Sequence, residues 1–87
     1  MNKLVVNIKP FIFKQNVYHY SDDNKLINQY KIKITDLNDL LYKLTEENPS
    51  TEINIGGNKK YSQKIQQELV NKSIAQYGEN KLIIKLI

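Results

Sequence analysis

The second half of the chain alternates between helical and strand patterns, and this alternation limits the fold more than any other feature. A helical apolar repeat that begins near Thr35 leads into a short strand pattern, residues 52–55. A second helical repeat, residues 59–77, leads into the strand pattern of residues 81–87. A strand that follows a helix pairs in parallel with an earlier strand through a right-handed crossover. The sequence therefore predicts a mixed α/β fold in which two strands join one sheet in parallel.

The first half of the chain has three strand patterns and no helical one. Residues 4–8 are almost continuously apolar, which is typical of a central strand that is buried on both faces. Residues 16–20 and 26–34 flank a polar turn sequence and form a hairpin pattern. The predicted element order is β-β-β-α-β-α-β in a single domain, residues 1–87. Its compact arrangement is a five-stranded sheet in the order 3-2-1-4-5, with both helices on one face.

The helices carry recognisable capping residues and apolar stripes. Thr35 is the expected N-cap of the first helix, and Gly78 is the expected left-handed C-cap of the second. The apolar stripe of the first helix consists of Leu37, Leu40, Leu41 and Leu44. The second helix is expected to bury Tyr61, Ile65, Leu69, Ile74 and Tyr77, with Val70 alongside.

Apolar side chains on both faces of the first and last strands require a cover for the face that the helices leave open. The side chains concerned are Val5, Ile83 and Ile87. Phe11 and Phe13, which are expected to anchor the connection after the first strand to the core, are one candidate cover. Another protein chain is the other candidate. Residues 82–87 would promote aggregation as a bare edge strand, so they favour a protein partner or a homodimer.

The composition excludes several kinds of chemistry. There is no cysteine, so disulfides and thiolate sites are absent, and the single histidine, His19, is expected on the hairpin surface. No acid–base pair, metal cluster or cofactor motif is recognisable, so we expect a protein that is not an enzyme and needs no cofactor. The sequence also has no signal-peptide pattern and no membrane-length apolar run, which favours the cytoplasm and predicts no membrane partner.

The charge balance is basic, with 13 basic residues against 9 acidic ones, and every basic residue is lysine. Arginine is the side chain that reads guanine best, so a chain without it is poorly suited to direct readout of duplex DNA. Lysine can still contact phosphate as a point charge. The heavy use of Lys, Asn and Ile is associated with AT-rich genomes, and it favours a low-GC bacterium, its phage or its plasmid as the source, of which we expect a phage or plasmid.

The element order, over essentially the whole chain, resembles the ribonuclease-H-like fold. Catalytic members of that family carry one acidic residue in the middle of the first strand and another at the end of the fourth. Here Asn7 stands in the first strand, and Gly56-Gly57 ends the fourth. Two-metal phosphodiester chemistry needs carboxylates to hold its ions. The resemblance therefore implies a miniature member of this fold without a catalytic metal site.

The glycine-rich turn before the second helix is the first candidate binding site. Gly57 relieves steric limits in the turn, and Asn58 is a good N-cap. If Asn58 caps the helix, Lys59 and Lys60 occupy the first turn, where cations are disfavoured, and the free helix amides could bind an anion. In the alternative, Ser62 caps the helix and both lysines are solvated loop residues.

The hairpin carries the second candidate surface. Tyr18 and Tyr20 share one strand face, with Lys31 and Lys33 on the neighbouring strand. These four residues could stack unpaired bases and contact phosphate, could anchor a protein interface, or could simply pack. We expect a small binding module that modulates or inhibits a host factor through protein–protein contact. The alternative is a nucleic-acid-binding accessory protein that uses the lysines and tyrosines.

Overall fold

A computed structural model describes residues 2–87 of the chain. Its strands are β1 (Lys3–Ile8), β2 (Lys14–Tyr20), β3 (Leu26–Lys33), β4 (Glu52–Gly57) and β5 (Ile83–Leu86), and its helices are α1 (Leu37–Glu47) and α2 (Lys59–Tyr77). The five strands form one sheet in the order β3-β2-β1-β4-β5. The predicted α/β class, element order and strand order are confirmed.

The central strand β1 has one antiparallel and one parallel neighbour. It pairs antiparallel with β2, which continues antiparallel to β3. It pairs in parallel with β4, and β4 in turn pairs in parallel with β5. Both strands that follow a helix are therefore parallel additions, as their helical crossover connections predict.

The two helices pack side by side on one face of the sheet. Lys72 on α2 forms an ion pair with Asp39 on α1 at 3.0 Å, and the Tyr42 hydroxyl donates a hydrogen bond to the Gln76 side chain. Burial raises the pKa of the Tyr42 hydroxyl, which is protonated at neutral pH in any case, and so extends its donor form to more alkaline pH. The apolar core between helices and sheet consists of Leu4, Val6, Ile8, Val17, Leu37, Leu41, Tyr42, Leu44, Ile53, Ile55, Ile65 and Leu69.

The opposite face of the sheet, called here the open face, is more polar than the sequence pattern suggested. On β1 it carries Lys3, Val5 and Asn7, and only Val5 is apolar. Glu52 on β4 forms an ion pair with Lys85 on β5 at 3.3 Å. The prediction that β1 is buried on both faces is wrong, because its strand pairing starts at Lys3 and brings this half-buried side chain and the exposed Asn7 onto the open face.

The entry into α1 differs from the predicted cap. β3 ends at Lys33, and Ile34–Asp36 form a 3₁₀-helical turn, so Thr35 lies inside that turn. Asp36 occupies the N-cap position without a side-chain cap hydrogen bond. The prediction of Thr35 as N-cap is wrong, since the tight turn that redirects the chain from the sheet onto its face already includes this residue.

The buried line of α2 also differs from the predicted stripe. Ser62, Ile65, Leu69 and Ser73 face the sheet, whereas Tyr61, Ile74 and Tyr77 are 43%, 45% and 47% exposed. The Ser62 hydroxyl lies 2.7 Å from the Asn58 carbonyl oxygen and 3.1 Å from that of Gly56, so its polar group is satisfied. Two small serines let the helix approach the sheet closely. The C-cap prediction is confirmed, because Gly78 has φ 79° and its N–H donates to the Ile74 carbonyl at 2.8 Å.

Candidate functional site

The carboxyl ends of β1 and β4 lie side by side, and the loops that follow them form one end of the molecule. The Asn58 N–H donates to the Ile8 carbonyl at 2.9 Å, which ties the start of α2 to the end of β1. Lys9 and Lys59 directly follow these two bonded residues. The glycine-rich turn predicted from the sequence and the β1–β2 connection are therefore neighbours in space.

Gly57 is required by the close approach of β4 to β1. Its φ is 89°, and a Cβ at this position would lie 2.2 Å from the Ile8 carbonyl oxygen. Asn7 projects toward the same turn, with its Oδ1 2.8 Å from that Cβ position. Where the ribonuclease-H-like resemblance would place two acids, the structure thus has an amide beside a glycine that cannot be replaced without strain.

Asn58 is the N-cap of α2, and the alternative with Ser62 as cap is excluded. The Asn58 side chain accepts a hydrogen bond from the Tyr61 N–H at 3.1 Å, and the helix begins at Lys59. Lys59 and Lys60 are therefore exposed in a first turn that contains no acidic residue. Cations there are disfavoured by about 0.3–1 kcal/mol each. Within residues 2–87, neither lysine forms an ion pair.

The β1–β2 connection contains a protruding aromatic tip. We call residues 10–13 (Pro-Phe-Ile-Phe) the apolar loop. The Phe11 side chain is fully exposed, and Ile12 and Phe13 are 49% and 55% exposed. Phe11 has φ 65°, in the left-handed region that a bulky residue rarely adopts. The expectation that Phe11 and Phe13 anchor this connection to the core, or cover the open face, is wrong.

Gln15 holds the apolar loop in this shape. Its side chain is buried, and its Nε2 donates to the carbonyl oxygens of Lys9 at 3.0 Å and of Ile12 at 2.6 Å. Its Oε1 accepts the Lys9 N–H at 3.0 Å. These hydrogen bonds replace the backbone pairing that the turn interrupts, and they fix both sides of Phe11. The exposed aromatic ring is thus presented on a constrained loop.

An apolar cavity of about 290 Å³ lies beside the loop. It is lined by Ile8, Lys9, Pro10, Phe11, Ile12, Phe13, Ile34 and Tyr61. Tyr61 comes from the first turn of α2 and Ile34 from the turn before α1. The apolar loop therefore combines a projecting side chain with an adjacent concave surface, which is the usual geometry of an anchor site.

A second, more polar groove of about 310 Å³ opens on the open face. It is lined by Asn7, Lys9, Ile12, Lys14, Gln15, Asn16, Tyr18 and Lys31. The structure thus brings together Tyr18 and Lys31 of the predicted hairpin surface, and adds Lys9 and Lys14, which the sequence analysis missed.

The other two hairpin residues lie outside this groove lining. Lys33 is directly opposite Lys14, while Tyr20 pairs with Lys3 at the far end of β1. Like charges placed directly opposite each other destabilise a sheet, so the Lys14–Lys33 pair is unfavourable without an anion nearby. Side chains alternate between the two faces of the sheet along β2 and β3. This alternation could have identified Lys14 as a residue of the open face.

His19 lies on the helix-covered face, and the prediction that it is on the hairpin surface is wrong. It stands directly opposite Leu4, and only 7% of its surface is exposed. Its Nε2 has no hydrogen-bond partner in the described part of the chain. Within residues 2–87 there is also no group of three or more His, Cys, Asp or Glu residues that could hold a metal ion.

Comparison of the chain with protein-family models, with curated proteins and with solved structures gave no match. None of the helices in residues 2–87 has the length and apolar character needed to cross a membrane.

Proposed function

We propose that this chain is a non-catalytic binding module that docks on another protein through the apolar loop and thereby modulates or blocks that protein. The observation that carries the proposal is Phe11, a fully exposed aromatic side chain on a left-handed backbone. An L-residue in this conformation is destabilised by about 1–2 kcal/mol. Strained backbone of this kind is concentrated at functional sites, where the surrounding structure enforces it.

The chemistry of the loop suits a protein surface. Aromatic side chains are enriched among the residues that dominate binding energy at interfaces, where they fill pockets on the partner. The hydrogen bonds from Gln15 constrain the loop before binding, so less conformational entropy is lost when Phe11 is buried. The adjacent cavity can in turn accept an apolar side chain of the partner.

The charged residues around the apolar loop favour a partner with an acidic surface. Lys9, Lys14, Lys59 and Lys60 flank the loop or follow the neighbouring turn, and all four are exposed. An interface with this rim attracts a surface rich in Asp and Glu and repels a basic one. The residue usage and the lack of cysteine favour a phage or plasmid protein that acts on an acidic host factor in the cytoplasm.

The test compares capture from a lysate of the source cells by the wild-type chain and by Phe11→Asn. Asparagine tolerates a positive φ, so we expect the variant to fold with equal or higher stability, by up to about 1 kcal/mol, while losing the captured protein. Leu26→Asn removes an exposed apolar side chain at the opposite end of the sheet and serves as the matched control. Equal capture by wild type and Phe11→Asn would overturn the proposal.

A second candidate function is supported by the polar groove on the open face. Lys9, Lys14 and Lys31 line it together with Tyr18, which combines phosphate-binding charges with an aromatic platform for an unpaired base. On this ground we propose nucleic-acid binding as the alternative function of the chain. A fluorescent single-stranded oligonucleotide should then bind with an affinity that falls steeply with salt, and Lys14→Glu with Lys31→Glu should abolish binding. Oligonucleotide binding that changes neither with salt nor with the two substitutions would contradict this second proposal.

A further inference from the structure

The outer edge of β5 has backbone groups that nothing in the described chain covers. The Ile87 N–H donates to the Ile55 carbonyl at 2.9 Å, so Ile87 points its backbone groups toward β4. These directions alternate along a strand. The N–H and C=O groups of Ile84 and Leu86 therefore point away from the sheet, as do those of Leu82 just before the strand. Only the Leu82 N–H has a local partner, the Asn80 Oδ1 at 3.0 Å.

The side chains along this edge are apolar. Leu86 is 42% exposed, and Leu82 and Ile84 are partly buried against the core. The only charged side chain in β5 is Lys85, which lies on the open face in an ion pair with Glu52. Natural sheets usually protect a free edge with charge, proline or a bulge. β5 is four residues long, and a short strand is itself one such device, but neither charge nor proline nor a bulge stands at the outward-facing positions of this edge.

The flank of α2 next to this edge extends the apolar surface. α2 contacts α1 through Lys72 and Gln76, and Val70 and Ile74 lie two residues away, roughly 200° around the helix. Val70 is partly buried and Ile74 is 45% exposed. Gln63 and Gln66, on the same flank, are uncharged. Between Gln63 and Ile74, two copies of this flank can therefore face each other without opposing like charges.

We propose that the chain forms a two-fold homodimer in which β5 pairs antiparallel with β5 of a second copy, producing a continuous ten-stranded sheet. A two-fold axis perpendicular to the sheet keeps the helices of both copies on the same face. Ile84 then lies opposite Ile84 of the partner subunit, and Leu82 lies opposite Leu86 of the partner subunit. The outward N–H of Ile84 and that of Leu86 both find carbonyl acceptors in this register.

The charge distribution selects this register over its neighbour. A shift by one residue on each strand would place Lys85 directly opposite Lys85 of the partner subunit, and such like-charge pairs are destabilising. In the proposed register Lys85 lies opposite Ile83 of the partner subunit. Each lysine then keeps its ion pair with Glu52 of its own copy.

The helices fit the same arrangement. α2 lies over β4 and β5, and adjacent strands are spaced by about 4.8 Å. The two α2 axes would then be roughly 10 Å apart across the two-fold axis, within the usual range for packed helices. Val70 and Ile74 of both copies close the space between them. A foreign strand would supply the backbone pairing but not this matched helix flank, so a second copy is the better fit.

The experiment uses the absence of cysteine in the wild-type chain. Sedimentation analysis of the wild type should show a mass that rises from 10.2 kDa toward twice that value with concentration. Ile84→Cys should form a disulfide-linked dimer in a glutathione buffer at least tenfold faster than Lys85→Cys. In the proposed register, the Cα atoms of Ile84 and Ile84 of the partner subunit lie about 5.5 Å apart, close enough to be bridged.

The matched control is Gln29→Cys on β3, the opposite edge, which should cross-link no faster than Lys85→Cys. Circular dichroism checks that each variant is folded. A wild-type chain that remains at 10.2 kDa at every concentration overturns the dimer, whatever the cysteine variants do. Faster linkage of Lys85→Cys than of Ile84→Cys overturns the register. Neither result bears on the apolar loop, which lies away from this edge.

Discussion

The two edges of the sheet, β3 and β5, are built in opposite ways. The Ile34 N–H donates to the Phe13 carbonyl at 2.8 Å, so alternation directs the backbone groups of Gln29, Lys31 and Lys33 outward. The Gln29 N–H is covered by the Asn28 Oδ1 at 2.9 Å. The next two residues with outward backbone groups are Lys31 and Lys33. An irregularity in the pairing with β2 further disturbs this edge near its start.

Three residues at the β5 edge have outward backbone groups: Leu82, Ile84 and Leu86. Only the N–H of the first, Leu82, is covered by a side chain. Asn80 covers the Leu82 N–H as Asn28 covers that of Gln29, but Ile84 and Leu86 stand where β3 has Lys31 and Lys33. The two edges thus share a polar cap on one amide and differ in the side chains beyond it. The difference indicates that β3 is protected against pairing, while β5 is left open for it.

The largest expected effect comes from placing a proline on the open edge. Ile84→Pro removes an outward N–H that makes no bond within the chain, so pairing with β4 remains. Each dimer loses two hydrogen bonds of about 1 kcal/mol each, and the dissociation constant should rise by about 30-fold or more. Sedimentation equilibrium measures it. Lys31→Pro, the same change at the protected edge, should leave the dimer intact, and equal loss in both variants would contradict the comparison.

A smaller effect is expected when the protection of β3 is removed. Lys31→Ile combined with Lys33→Ile places apolar residues at the two outward backbone positions of β3, as β5 has at Ile84 and Leu86, and removes both lysines from this edge. With two open edges on each chain, we expect species larger than a dimer, detectable by light scattering at high protein concentration. Lys43→Ile with Lys64→Ile removes equal charge from the helices and controls for solubility. An unchanged dimer in the β3 variant would show that lysines do not protect this edge.

The smallest effect is expected from removing the amide cap on β3. Asn28→Ala uncovers the Gln29 N–H, which then loses a hydrogen bond of about 1 kcal/mol. Hydrogen exchange at Gln29 should accelerate by about fivefold, since 1 kcal/mol corresponds to that factor at room temperature. NMR exchange rates provide the measurement. Exchange at Lys31, whose amide this cap does not cover, serves as the internal control, and equal acceleration there would indicate general loosening of β3 instead.

The strand order could be predicted because it follows from the sequence of elements and the handedness of their connections. Once two strands each follow a helix, few compact arrangements remain, and the edges β3 and β5 are then determined. The caps Asn58 and Gly78 were also predictable, since their signals are local. Thr35 failed as a cap because a 3₁₀ turn has no comparable local signature.

The candidate site was only partly predictable. Gly57 and Asn58 were found from the turn chemistry, and Tyr18 and Lys31 from strand alternation. The sequence predicts a core position for Phe11, because an apolar aromatic residue is normally buried and nothing local indicates a positive φ at phenylalanine. Gln15 was missed for a related reason. Its role depends on contacts with the carbonyl groups of Lys9 and Ile12, which only the folded loop brings within reach.

The position of β1 in the sheet also affects how the chain folds. β1 can pair early with β2, which follows it closely, but its parallel neighbour begins only at Glu52. Until that segment docks, β1 is itself a free edge of a three-stranded meander, with Leu4 and Val6 still exposed. Pairing between distant segments is slow, and unpaired strand edges are where partly folded chains misassemble. β1 is the central strand of the folded sheet, but before β4 docks it is the edge strand that is most exposed to mispairing.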